Sequence, residues 1–291
     1  MRSIVLRVAG LLLAAVLVTA CDALLPLGWQ SSFPVDQDFP GNRKAQELAI
    51  AAERGDVAEV RRLMKEEGVD PDRIFSVDGM PLLAWPILTR NPAGLKAMLE
   101  NGADPNAKMP HRARHVNADF RDRYHNNAMV WAAKADDPIY LKLLLDHGGN
   151  PNTRNSNDET LLLQAFLAGN QWENVKLLVE RGADVNARSQ GSTILGDYVG
   201  RGAFREAYWL LQHGADPRLN FLRAPDASKD QSHIVDEIFW LPVAPEQVEW
   251  QRRCQQWLLE HGIERPPLPH RIREMRKRFG LPYEEHQIPL L

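Results

Sequence analysis

Pairs of large apolar residues recur along the chain at Met98-Leu99, Leu144-Leu145, Leu178-Val179, Leu210-Leu211 and Leu258-Leu259, and each pair stands four and three residues ahead of a glycine. Leu95, Leu141 and Val175 lie three residues before their pairs, which places the apolar positions on one face of a 3.6-residue period and predicts a helix with one buried stripe. Shorter apolar runs at Leu48–Arg54, Leu82–Thr89, Met129–Ala135 and Leu161–Ala168 predict a second, inner helix ahead of each. The glycines Gly68, Gly102, Gly148, Gly182, Gly214 and Gly262 open a recurring polar tail: Gly102-Ala103-Asp104-Pro105-Asn106, Gly148-Gly149-Asn150-Pro151-Asn152, Gly182-Ala183-Asp184-Val185-Asn186 and Gly214-Ala215-Asp216-Pro217-Arg218. Glycine can take the left-handed conformation that ends a helix, Asp or Asn can bond the turn backbone, and Pro forbids further helix. The first unit, Gly68-Val69-Asp70-Pro71-Asp72, has its apolar pair Leu63-Met64 one residue further from the glycine.

Gly-to-Gly spacings of 34, 46, 34, 32 and 48 describe a repeat of about 33 residues that is lengthened twice. Two helices and a polar turn at this period resemble the ankyrin repeat, whose pattern has a TPLH-like start, a V-x-x-L-L outer helix and a G-A-D-x-N turn. The resemblance covers residues 44–264 and implies an all-α, ankyrin-repeat solenoid of about six helix-turn-helix repeats with two finger-side insertions. The units fall at about 44–73, 78–108, 126–153, 158–188, 191–218 and 232–264. Their starts depart from the pattern, as in Met80-Pro81-Leu82-Leu83, Ala128-Met129-Val130-Trp131 and Thr160-Leu161-Leu162-Leu163. Lys44 to Lys65 lacks the start and reads as an N-terminal cap. Residues 265–291 form a basic, Pro-containing C-terminal segment, read as a solvated helix over the last repeat or as a second basic contact.

Both insertions follow the helix-stop turn, the side that bears fingers in the family resembled. The first, Lys108–His125, holds five cations and two acids, a local charge of +3, with aromatic residues interleaved. Arg112, Arg114, Phe120, Arg121, Arg123 and Tyr124, with Trp131 just beyond, are the candidate partner-binding residues, since aromatic and Arg anchors dominate many interfaces and a basic patch steers association. The alternative is a solvated mobile loop. The second insertion, Arg218–His233, is nearly balanced and contributes Phe221 and Leu222.

Composition narrows the functional class. With 44% hydrophobic and 25% charged residues in 291 the chain is globular, and a net charge of -3 disfavours a general nucleic-acid binder. Arg2 and Arg7 precede an apolar run, Val8–Val18, that is too short to span a bilayer. The following Val18-Thr19-Ala20-Cys21 resembles the lipobox of bacterial lipoproteins. That resemblance implies a signal peptide over 1–20, lipidation of Cys21, and a lipidated N-terminus and flexible tether over 21–43. An ordinary secretory signal or a short buried helix is the alternative. Asp22 resembles a sorting signal that retains lipoproteins in the inner membrane, which is favoured over the outer. Without residues 1–20 the balance is 33 basic against 38 acidic side chains, or -5, and Cys254 is left with no cysteine partner once Cys21 carries lipid. Between Trp250 and Trp257, Cys254 reads as a small buried hydrophobe.

No P-loop, G-x-S-x-G, HExxH or CxxC occurs, and no stretch offers a nucleophile, base and stabiliser together. His147, His213 and His261 each precede a helix-ending glycine, where an imidazole can meet the last carbonyls. His111 and His115 have i,i+4 spacing but no third ligand, so neither metal nor cofactor is expected. The function implied is a non-enzymatic, membrane-anchored, periplasm-facing scaffold of the bacterial cell envelope whose partner is a protein. Ankyrin lipoproteins of this kind resemble immunity proteins that neutralise phospholipase effectors of type VI secretion. One alternative is a periplasmic ankyrin protein that stabilises or regulates a resident envelope enzyme or stress-defence protein, and a second is an envelope hydrolase. Replacing Cys21 with Ser removes the thiol that accepts lipid, so metabolic labelling with palmitate should fall to background; equal label in the variant excludes lipidation at this residue.

Overall fold

The computed structural model describes residues 34–110, 126–219 and 234–290. It is helical, and the described residues contain isolated β-bridges, such as Arg154 with Thr160, but no strand. The chain divides into two compact units, Met1–Ala103 and Asp104–Leu291.

In the first unit α1 (Val35–Asp38) leads into α2 (Arg43–Arg54) and α3 (Val57–Arg61), followed by α4 (Trp85–Leu88) and α5 (Pro92–Glu100). Asn42, Asp56 and Asn91 each accept an N–H from the first turn of the helix they precede, supplying the bonds that a helix start lacks. Phe39 is buried and packs edge-on against Trp85, with ring centroids 5.8 Å apart. The Val77 N–H donates to the Asp38 carbonyl over 2.9 Å. The flexible tether expected over 21–43 therefore stops short of 43, because Phe39 gives the stretch before α2 a buried anchor. Its earlier part, with Cys21 and Asp22, lies outside the described residues. Gly94 marks the closest approach of α5 to α2: a Cβ there would lie 1.8 Å from the Ala52 carbonyl oxygen, so only glycine fits.

The displaced apolar pair of the first unit has a physical resolution. Arg62–Glu66 forms a π-turn at the end of α3, with the Glu67 N–H donating to the Arg62 carbonyl over 3.1 Å. The added residue is absorbed there, and Val69 bonds six residues back to Leu63 where Ala103, Ala183 and Ala215 bond five back to Met98, Leu178 and Leu210. The buried stripe thus keeps its face. Arg62 is bound on both sides by Glu59 and Glu67, which holds the last turn together.

Among its described residues the second unit stacks four helix pairs: α6 (Ala128–Lys134) with α7 (Ile139–Asp146), α8 (Leu161–Leu167) with α9 (Trp172–Glu180), α10 (Ile194–Gly200) with α11 (Phe204–Gln212), and α12 (Ile234–Trp240) with α13 (Val248–Glu260). Leu141, Leu144, Val175, Leu178, Leu210 and Leu258 are fully buried, so the first residue of each apolar pair lies on the stripe read from the sequence; of the second residues Leu211 is buried, Leu145 and Val179 are half-buried and Leu259 is 44% exposed. Outer helices also cap inner ones across the stack. Asn174 of α9 donates to the carbonyls of Ala133 and Ala135 at the end of α6, over 3.1 and 2.8 Å. Gln247, before α13, instead caps the outer helix of the preceding pair, accepting from the Phe204 N–H that opens α11 over 3.0 Å.

The polar tails are joined by a ladder of side-chain amides. Asn106 donates to the Gly148 carbonyl over 2.9 Å and accepts the Asn150 N–H over 2.8 Å. Asn152 repeats the pattern on Gly182 and Asp184, at 3.1 and 2.7 Å, and Asn186 on Gly214 and Asp216, at 3.0 and 2.8 Å. Within each turn, Asp104, Asn150, Asp184 and Asp216 accept the N–H two residues on, at 2.8 to 2.9 Å. Gly182, with φ of +89°, sets the direction of its turn, and the motif is thereby explained residue by residue.

A terminal element, α14 (His270–Arg278), follows α13. Ile272 and Leu268 are buried, Trp240 donates its indole N–H to the Pro266 carbonyl over 3.0 Å, and the Arg265 guanidinium lies 3.7 Å over the Trp240 ring. Arg271 pairs with Glu237 over 2.9 Å. These contacts cover the face of α12 that has no further repeat beside it.

Asn152→Ala deletes one rung of the ladder on both its donor and acceptor sides. Each bond contributes about 0.5–1.5 kcal/mol, so unfolding free energy should fall by about 1–2 kcal/mol, and Asn152→Asp, which keeps the acceptor alone, should lose less. Urea titration of the two variants checks the order; equal stability of all three proteins would show that the rung is idle.

Candidate binding surface

Of the residues read from the sequence as partner-binding, Trp131 is within the described part of the protein. Arg112, Arg114, Phe120, Arg121, Arg123 and Tyr124 lie outside it, as do His111, His115 and the Phe221-Leu222 pair. The described flanks of the first insertion converge on one hairpin. Lys108 donates to the Arg154 carbonyl over 3.5 Å, and Asn126 accepts the Ser156 N–H over 3.0 Å.

That hairpin is built around Glu159, which is 5% exposed. Its carboxylate takes amide protons from Asn155 at 2.7 Å, from Gln164 at 2.6 Å, and from Gln190 on the following hairpin. Arg154 ties the same two hairpins by donating to the Asp158 and Arg188 carbonyls over 2.6 and 3.0 Å. A shallow cleft of about 360 Å³ lies between the hairpins, lined by Asn152, Arg154, Thr160, Leu162, Asp184 and Ala187 among others. It contains no nucleophile paired with a base, and the amides around Glu159 serve to lock hairpin geometry.

The inner helices add a second part of the surface. Trp131, Gln164, Asp197 and Glu237 occupy the same register position, the fourth residue of α6, α8, α10 and α12, with Trp131 and Asp197 half-buried and Gln164 and Glu237 buried. One turn on stand Lys134, Leu167 and Gly200, all exposed, with Leu167 at 57%. Arg201 lies 3.8 Å over the Phe166 ring, next to Leu167. Trp131 is half-buried, and its indole Nε1 is buried with no hydrogen-bond partner. Asn127, one turn earlier and fully buried, has both amide atoms unpaired, whereas Thr160 and Thr193 at the same place before α8 and α10 cap their helices. Buried unpaired donors and acceptors are rare in native proteins, so the start of α6 is where this unit is least satisfied by its own groups.

Two groups on this face have shifted titration. Burial pushes the Asp197 carboxyl up to about 6, against the lowering influence of the Ser192 hydroxyl and the Arg201 guanidinium. Desolvation lowers the Lys134 amine, which the Glu159 charge partly offsets. Elsewhere the ionisable groups act structurally. His147, His213 and His261 hold the carbonyls four residues back through Nδ1 at 2.7 to 2.8 Å, and His213 and His261 stack on Trp209 and Trp257. Cys254 is fully buried, its thiol pushed up by desolvation. No group of three His, Cys, Asp or Glu able to hold a metal ion occurs among the described residues.

The tryptophans divide differently from the sequence expectation that most are core. Trp85 and Trp240 are buried, while Trp131, Trp172, Trp209, Trp250 and Trp257 are half-exposed. Outer-helix rings meet one another edge-on, as Trp172 and Trp209 do at 5.4 Å, leaving part of each in water. Lys134, Leu167, Asp197 and Arg201 were not singled out from the sequence. Only the register common to α6, α8, α10 and α12 brings them to one face.

Helix pairs, left-handed glycine turns and amide-paired tails are the architecture of ankyrin repeats. A family model described as ankyrin repeats (3 copies) matches residues 111–189 and 129–220. Among solved structures, the ankyrin repeat domain of Bcl-3, described as a unique member of the IkappaB protein family, is similar at 23% sequence identity and a TM-score of 0.55. The alignment covers 75% of this chain and 86% of that one. No curated protein matches the sequence. The chain carries an ankyrin-repeat fold, a class that serves as a protein interaction scaffold.

Because the Asp197 carboxyl ionises at a higher pH in the folded protein than its ordinary 3.8, folding holds a proton between those values and this group's penalty on stability grows as pH rises from about 4 to 6. Asp197→Asn should therefore stabilise the protein at pH 7 by on the order of 2 kcal/mol, with the gain gone near pH 4. Urea midpoints at pH 4, 5.5 and 7 measure it, and a gain independent of pH would contradict the assignment.

Proposed function

We propose that this protein is a non-enzymatic binding scaffold of the bacterial envelope, tethered through lipid on Cys21 and facing the periplasm, whose partner is a toxic phospholipase-type effector. Inhibition is steric and electrostatic: the anchored scaffold meets the enzyme beside its substrate membrane and covers its active-site mouth or its membrane-docking surface. The observation that carries this reading is the start of α6, where Trp131 and Asn127 keep buried polar atoms unpaired directly after the Arg-rich insertion. Its flanks at Lys108 and Asn126 are held on the Arg154–Ser156 hairpin, and the indole beyond it is half-exposed. A Trp and several Arg on a repeat scaffold are the composition of interface anchors, and the +3 charge of the insertion on a chain of net charge -3 favours an acidic partner surface. Leu167 and Arg201 extend that surface along the inner helices.

Changing Arg112, Arg114, Arg121 and Arg123 to Glu turns the local charge from +3 to -5. The partner is captured from periplasmic extract with the unaltered chain, and kinetics are then compared at two salt concentrations. Association should slow by at least tenfold in the variant, with helical content and melting unchanged. Unchanged rates and an unchanged salt slope would place the binding site elsewhere.

A further inference from the structure

We propose that the turn closing α14 is a membrane-contact site, in which Phe279 enters the headgroup region of a bilayer rich in anionic phospholipid while Lys277 and Arg278 meet lipid phosphates. Phe279 is 69% exposed, the most exposed of the large hydrophobic residues described. It is held there firmly. Gly280 turns the chain with φ of +66°, the Gly280 N–H donates to the Lys277 carbonyl over 3.1 Å, and the Leu281 N–H donates to the Arg276 carbonyl over 2.9 Å. Arg276 is 8% exposed and clamps the turn from beneath, donating to the Pro282 carbonyl over 2.6 Å and to the Trp240 carbonyl over 2.8 Å. A phenyl ring fixed in water by a buried guanidinium is a presented group and not a frayed end.

Charge is sorted around it. Glu285 accepts the Leu268 N–H over 2.7 Å, Glu284 caps the short helix Glu285–Gln287 and lies 3.7 Å from Arg273, and Arg271 is paired with Glu237. Lys277 is exposed and stands 5.9 Å over the Tyr283 ring, and Arg278 is exposed with no carboxylate within 4.0 Å among the described residues. Two acids of this segment are exposed, Glu274 and Glu285, the second facing the Arg265 charge, and Lys277 and Arg278 keep no carboxylate within 4.0 Å among the described residues. Protein interfaces are depleted in Lys, whereas aromatic rings flanked by Lys and Arg are the composition of the bilayer interface, and this favours lipid over a protein as the occupant. Each cation near an anionic surface strengthens binding about fivefold, so the contact is weak and reversible by itself. It is suited to hold down one end of a protein already at the membrane, and to that extent it rests on the envelope reading above.

The test leaves the lipid anchor out. The full chain with Cys21→Ser is given one accessible thiol, Tyr283→Cys, since Cys254 is buried, and is labelled there with a nitroxide. Vesicles of phosphatidylglycerol and phosphatidylcholine are added, and accessibility of the label to oxygen and to a water-soluble nickel complex is read by spin resonance. The expected result is a rise in the first and a fall in the second with phosphatidylglycerol present. The change should be reversed by 0.5 M salt and reduced at least tenfold in the vesicle titration by K277E, R278E and F279A together. A label that stays in water, or one that enters pure phosphatidylcholine equally well with the triple variant, overturns the proposal. A label that is shielded by periplasmic extract but never by vesicles also overturns it, in favour of a protein partner. Palmitate labelling of Cys21 is independent of every arm, so the anchor and this contact can fail separately.

Discussion

The second unit depends on one repeated interaction, the carboxamide of an asparagine side chain that donates to one turn and accepts from it at once. Asn106, Asn152 and Asn186 each close two bonds onto the backbone of the next tail, so the amide behaves as a short piece of β-ladder placed between helix-stop turns. Only a side chain with a donor and an acceptor on one planar group can do this. The first tail carries Asp72 at this position, a carboxylate that cannot donate, and the fifth carries Arg218, which cannot accept. The two-bond rung therefore needs Asn, which neither of those tails carries at this position.

Spacing fixed by the tails determines what the helices can share. With neighbouring turns in register, the outer helix of one repeat reaches the carbonyl end of the preceding inner helix, as Asn174 does on α6 and Asn91 does on α2 through the Glu53 carbonyl. Deviations are absorbed locally and do not propagate. The π-turn at Arg62–Glu66 takes up one surplus residue, and α14 supplies the last inner helix with the cover that another repeat would give.

The same register builds the candidate surface. A residue repeated at one helical position becomes a row, so Trp131, Gln164, Asp197 and Glu237 line up without being near in sequence. The row is polar and costly to bury: Asp197 ionises late, Gln164 is committed to Glu159, and the Trp131 indole has no acceptor. A rigid stack with an unsatisfied start at α6 is preorganised for a partner, because little of the binding surface has to be ordered on association.

Much of this was legible in the sequence. The helix pairs, their buried stripe, the left-handed glycines and the helix-end histidines follow from local rules that act within one turn or one period, and those rules hold whatever the neighbours are. The surplus residue before Gly68 was visible as a displaced Leu63-Met64 pair, although its resolution as a π-turn was not. What only the tertiary structure decided are relations between residues about 30 to 45 apart. These include the partners of the ladder asparagines, the burial of Phe39 against Trp85, the half-exposure of the outer-helix tryptophans, and the meeting of Glu159 with Gln190. Such relations depend on the stacking distance between repeats, and that distance is a property of the packed backbone, to which no single segment holds the information.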